Sequence, residues 1–86
     1  MYIGARDVKP LPDFRLLITF DNGERRIFNV EPYLDKGVFR ELRNESLFKS
    51  VRVNFDAVEW ANGADLCPEI VYAESVPVET ESAVAV

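Results

Sequence analysis

The chain has 86 residues, 48% of them hydrophobic and 29% charged, and its ten Lys and Arg against fifteen Asp and Glu leave a formal charge of −5, with no histidine and one cysteine. So short a chain supports one hydrophobic core, which excludes mechanisms built on a cleft between two domains. Without histidine there is no imidazole base, no imidazole metal ligand and no Ser-His or Cys-His nucleophile pair, and the lone Cys67 closes no internal disulfide.

Tyr2 to Val8 reads as a first strand, ended by Pro10 and Pro12, which cannot donate to a ladder. Phe14, Leu16, Ile18 and Phe20 then alternate with Arg15, Leu17 and Thr19, a period-2 strand with one core face. Asp21-Asn22-Gly23 turns the chain. A two-residue loop there would pair Leu17 with Phe28; a three-residue loop with Gly23 in the left-handed region sets Phe14, Leu16 and Ile18 opposite Val30, Phe28 and Arg26. Only the second keeps the large apolar residues on one face, and it is the register chosen.

Glu31-Pro32-Tyr33-Leu34 suits a short helical turn, Gly37 interrupts, and Val38 to Arg43 reads as a helix that Asn44 closes or follows with a cap. Val51-Arg52-Val53 and Val58-Glu59-Trp60 fit a second hairpin over a loop from Asn54 to Ala57, setting Val53 against Val58. Asn62-Gly63 is a further turn, and Pro68 opens a short helix to about Ala73. No internal repeat is visible. The reading is a single α+β domain over residues 1–74: a small, mainly antiparallel sheet (a three-stranded N-terminal meander plus a second hairpin), with short helices on one face. Residues 75–86 form an acidic tail that is either flexible or adds a strand to a sheet edge, its own or a neighbour's.

The charge is divided along the chain. All ten basic residues and eight acids lie in residues 1–52, and the other seven acids follow Arg52 with no cation among them. That polarity fits self-association, a partner with a basic groove, or solubility alone. No apolar run approaches the ~20 residues of a membrane span and no secretory leader is visible, so with its unpaired cysteine the chain is expected to be cytoplasmic. The negative total argues against direct binding to nucleic acid.

Few residues suggest chemistry. Four isolated glycines match no phosphate-binding loop, and Asp56, Glu59 and Asp65 lack metal-ligand spacing, so no cofactor, no metal and no catalytic residue is expected. Cys67 is either a thiol activated by the helix that follows it or a small buried apolar residue. The chosen register gathers Arg15, Leu17, Thr19, Arg25 and Ile27 on the face opposite the core. If helices cover only one side, Leu17 and Ile27 form an apolar patch rimmed by Arg and Thr, the composition of an association surface; otherwise the first strand or the C-terminal segment covers them. Arg26, on the core face, must snorkel out or pair with an acid such as Glu24.

The order Val8-x-Pro10, Phe14-x-Leu16-x-Ile18-x-Phe20-Asp21-Asn22-Gly23-Glu24, Val30-x-Pro32-Tyr33-Leu34, and finally Trp60-Ala61-Asn62-Gly63-Ala64-Asp65-Leu66-x-Pro68, resembles the DUF2442 family of small bacterial proteins. The resemblance runs from about Val8 to Tyr72 and implies a small sheet carrying short helices. It implies no activity. Some such proteins carry an appended helix-turn-helix, expected to be absent here, and others lie beside a second small gene as in toxin–antitoxin pairs. Physically, the landmark residues Trp60, Asn62, Gly63 and Asp65 read as a half-buried strand end, a turn, and a carboxylate that accepts backbone N–H bonds.

The leading expectation is therefore a non-catalytic protein–protein interaction module, homo-oligomeric, acting as a regulatory or antitoxin-like partner of another small bacterial protein. The rival is a ligand-binding or enzymatic pocket around Trp60, Asn62 and Asp65, with Tyr72 near it.

Overall fold

Alternation of large apolar and polar residues from Phe14 to Val30 sets the frame. The computed structural model describes residues 3–78. Strands β1 (Ala5–Leu11), β2 (Arg15–Phe20) and β3 (Arg25–Asn29) are followed by 3-10 turns at Glu31–Tyr33 and Gly37–Arg43 and by helix α1 (Glu45–Phe48). Then come β4 (Arg52–Asn54), β5 (Ala57–Glu59), β6 (Asp65–Leu66), α2 (Pro68–Glu74) and β7 (Val76–Pro77). The strands form two antiparallel sheets, β1-β2-β3-β7 and β4-β5-β6, giving the α+β architecture read from the sequence.

The first hairpin takes the three-residue loop. Gly23 N donates to Phe20 O at 2.9 Å, Phe20 N donates to Glu24 O at 2.8 Å, and Gly23 has φ +87°, so Leu16 faces Phe28 and Leu17 faces Ile27. The same turn recurs after Trp60: Gly63 N donates to Trp60 O at 3.0 Å, Trp60 N to Ala64 O at 2.8 Å, and Gly63 has φ +92°. An aromatic-x-Asn-Gly-x turn is thus used twice, a repeat too short to stand out in the sequence. The second use folds Asp65–Leu66 back on Glu59 and Val58, so the expected hairpin is a three-stranded sheet.

Two other boundaries differ from expectation. β1 continues through Pro10 to Leu11, with Pro10 opposite Leu16, because β1 is an edge strand and the missing N–H of a proline is tolerated facing off a sheet. Its expected first residue, Tyr2, lies outside the described residues. Val53 pairs with Val58 as expected, but the loop shortens to Phe55-Asp56, both at positive φ.

Among the described residues, helical segments and the second sheet cover one face only of the first. Leu16, Ile18, Phe20 and Phe28 share a single buried cluster with Trp60, Val58, Leu42, Phe48 and Val71. Each such side chain contributes roughly 1.5–3 kcal/mol on leaving water, so this cluster, rather than the short helices, holds the fold. Asn44 caps α1 by accepting from Leu47 N at 3.1 Å. Beyond α2, Val76 and Pro77 pair with Ile27 and Arg26 and complete the first sheet at its edge. The rest of the acidic tail, from Glu79, lies outside the described residues. No described helix is long and apolar enough to cross a membrane.

Candidate interaction face

Cross-strand pairs in an antiparallel sheet share a face, so the register of the first sheet dictates what its outer side presents. Leu17 pairs with Lys9 on β1 and with Ile27 on β3, and Ile27 pairs with Val76 on β7. The result is one row across four strands: Lys9, Leu17, Ile27, Val76. Flanking rows hold Asp7, Thr19 and Arg25 on one side and Leu11, Arg15 and Asn29 on the other. Leu17 and Ile27 are partly exposed, Val76 is 52% exposed, and Lys9 and Arg25 are exposed. The C-terminal strand therefore extends this face in its own plane instead of covering it. The five residues singled out in the sequence, Arg15, Leu17, Thr19, Arg25 and Ile27, are brought together here. Lys9 and Val76 join the row because β1 runs past Val8 to Leu11 and β7 forms in a segment without periodicity.

The landmark loop is differently disposed. Trp60 is fully buried, not half-buried, and its indole N–H donates to Phe48 O at 3.1 Å. Asn62, not Asp65, caps the loop: its Oδ1 accepts from Ala64 N at 3.1 Å and its Nδ2 donates to Glu41 Oε1 at 2.9 Å. Asp65 stands exposed on β6 opposite Glu59 and its carboxylate makes no hydrogen bond among the described residues. Tyr72 lies with Glu24, Arg26 and Ser75. The Trp60 indole is thus spent on the core and the Asn62 amide on the turn, while the Asp65 carboxylate stands at the surface.

On the core face, Arg26 does pair with Glu24, at 3.1 Å, and also donates from Nε to Ser75 Oγ and from Nη2 to Ser75 O, both at 2.7 Å. Glu24 also accepts from Asn22 and from the Tyr72 hydroxyl. The Tyr72 bond, then the Asn22 bond, hold its carboxyl below the usual carboxylate range, with Arg26 assisting, while the bond to Glu24 pushes the Tyr72 phenol up. This network ties α2 and β7 to the first hairpin. Cys67 is exposed, not buried, with its Sγ 3.9 Å from Glu69 Oε1. Among the described residues no three Cys, Asp or Glu side chains are grouped to hold a metal ion. A groove of about 340 Å³ lies elsewhere, between the β1–β2 turn and α1.

No curated protein and no solved structure matches the chain. A family model described as "Protein of unknown function (DUF2442)" matches residues 5–77, from the first residue of β1 to the last of β7. The match takes in both sheets and the outer face built on them, and on it the chain belongs to the DUF2442 family.

Proposed function

We propose that this protein is a non-catalytic interaction module that docks an anionic partner protein on the outer face of its first sheet, as a regulatory, antitoxin-like component of the bacterial cytoplasm. One observation carries the reading: Leu17, Ile27 and Val76 form an apolar row that no described element covers, within a border of Lys9, Arg15 and Arg25. Apolar side chains lined up on an open sheet face gain free energy by leaving water, and cations around them select the partner. Three cations face one acid, Asp7, on these rows. Two copies meeting by this face would set cation against cation, whereas an anionic surface neutralises them. The unpaired cysteine accords with a reducing compartment.

Site-specific photo-crosslinking in the native cell tests this. A crosslinker at Thr19, on the row beside Leu17 and Ile27, should capture a defined protein that one at Ser46, on α1, does not. Leu17→Thr with Ile27→Thr places β-branched strand formers at both positions and should abolish the adduct while the melting curve stays cooperative. Capture that falls with added salt supports the electrostatic part. Equal capture from both positions, or full capture by the double variant, defeats the proposal.

A further inference from the structure

The tip of the second hairpin carries the most exposed large apolar side chain among the described residues: Phe55, 92% exposed. Its backbone makes the observation sharper. Phe55 and Asp56 have φ +51° and +68°, the left-handed pair of a tight hairpin turn, where Asn-Gly is the unstrained choice and a bulky aromatic is an outlier. Nothing in the monomer compensates, since the ring touches water almost everywhere. The turn is also held firmly. Asp56 O accepts from Ala5 N at 2.9 Å, Asn54 pairs with Ala57, and Gly4 packs so closely on Asp56 that a Cβ there would lie 2.7 Å from the Asp56 Cβ. An aromatic offered to solvent on a firmly held, strained turn is the form of an interface anchor, because the backbone's ordering cost is met before binding.

We propose that Phe55 is a self-association anchor that seats in the groove between the β1–β2 turn and α1 of a second copy of this chain. That groove, about 340 Å³, is lined by Pro10, Leu11, Pro12, Phe14 and Phe48, which offer an aromatic ring apolar walls. Individual charges can pair across the two sites. At the anchor the carboxylates of Asp21 and Asp56 converge on Gly4, and neither is in an ion pair among the described residues. At the groove, Arg43 and Lys49 line the wall together with the acids Asp13 and Glu45, so the two cations are what it offers to the anchor's carboxylates. Arg43 and Lys49 hold only exposed partners, Asp35 and Glu45, which such cations exchange at little cost. The groove belongs to the first 52 residues, and Phe55 with Asp56 to the remainder, although Asp21 at the anchor comes from the first part.

Light scattering across a concentration series tests the proposal. The wild-type chain should associate at high micromolar concentration, less so at high salt. Phe55→Asn, which suits the left-handed turn, should melt no lower than wild type yet weaken association by about 30-fold or more. Pro12→Glu with Lys49→Glu, which spoils the groove, should do the same. An equimolar mixture of the two variants should recover a dimer, since one intact anchor then meets one intact groove. Leu17→Thr with Ile27→Thr should associate as wild type does, which separates this contact from the outer sheet face. A monomeric wild type, an undiminished Phe55→Asn, or a mixture that stays monomeric overturns it.

Discussion

The guanidinium carbon of Arg26 sits 4.5 Å from the centroid of the Tyr72 ring, and both side chains hydrogen-bond to Glu24. A cation, a ring and a carboxylate thus join the first hairpin to the C-terminal helix, at the point where β7 enters the sheet that bears the outer face.

Stability should follow the titration of this group from both sides. The Glu24 pKa is lowered, chiefly by the Tyr72 hydroxyl, so its contribution is complete above the ordinary carboxylate pKa and disappears as pH falls through the lowered value. The Tyr72 pKa is raised, so its contribution is complete below the ordinary phenol pKa and disappears as pH rises through the raised value. Tyr33, raised by its bond to Glu74, adds to the alkaline arm. Melting temperature against pH should therefore fall at both ends, and Glu24→Gln should shallow both arms. An unchanged profile in that variant would remove the network from the stability argument.

Much of this was legible in local pattern, and the misses share a cause. The register of Leu16 with Phe28 followed from keeping apolar residues on one face, and it alone fixed the Leu17–Ile27 pair. Arg26 on the core face demanded an acid, and Glu24 supplied it. By contrast β6 and β7 are two residues each, too short for any periodicity, and exist because the turn at Asn62-Gly63 and the Arg26–Ser75 bonds deliver them to a sheet. Asp65 was assigned the capping role because it follows the turn; Asn62 holds it because an Asn side chain reaches the amide two residues on. Phe55 read as part of a loop, and only its exposure and positive φ reveal it.

Gly4 should resist substitution for a reason seen only in three dimensions. A Cβ there would come within 2.7 Å of both Cβ and Cγ of Asp56 and 2.9 Å of Asp21 Oδ2. Gly4→Ala forces the second hairpin away from β1 and should cost about 1–3 kcal/mol, the usual range for overpacking. Asp56→Gly removes two of the clashing atoms and suits φ +68°. The double variant should therefore lose less stability than Gly4→Ala alone, as measured by urea unfolding. Additive losses would show that the clash is relieved elsewhere.

The two Asn-Gly turns permit a matched comparison. Asn22 Oδ1 accepts from Glu24 N at 3.0 Å and Asn62 Oδ1 from Ala64 N at 3.1 Å, so replacement by Ala removes the same backbone bond from each, worth about 1 kcal/mol. The amide nitrogens differ in reach: Asn22 Nδ2 donates within its own turn, to Glu24 Oε2 at 2.8 Å, whereas Asn62 Nδ2 donates to Val38 O at 3.4 Å and Glu41 Oε1 at 2.9 Å, pinning the 3-10 segment Gly37–Arg43 to the turn. Asn62→Ala should accordingly destabilise more than Asn22→Ala, and the excess should be local. Hydrogen exchange should quicken at the amides from Val38 to Leu42 in Asn62→Ala and stay at the wild-type rate in Asn22→Ala, once each is corrected for global stability. Equal losses with unchanged exchange in that segment would mean that the Asn62 amide bonds contribute nothing, leaving the segment held by its buried Leu42 alone.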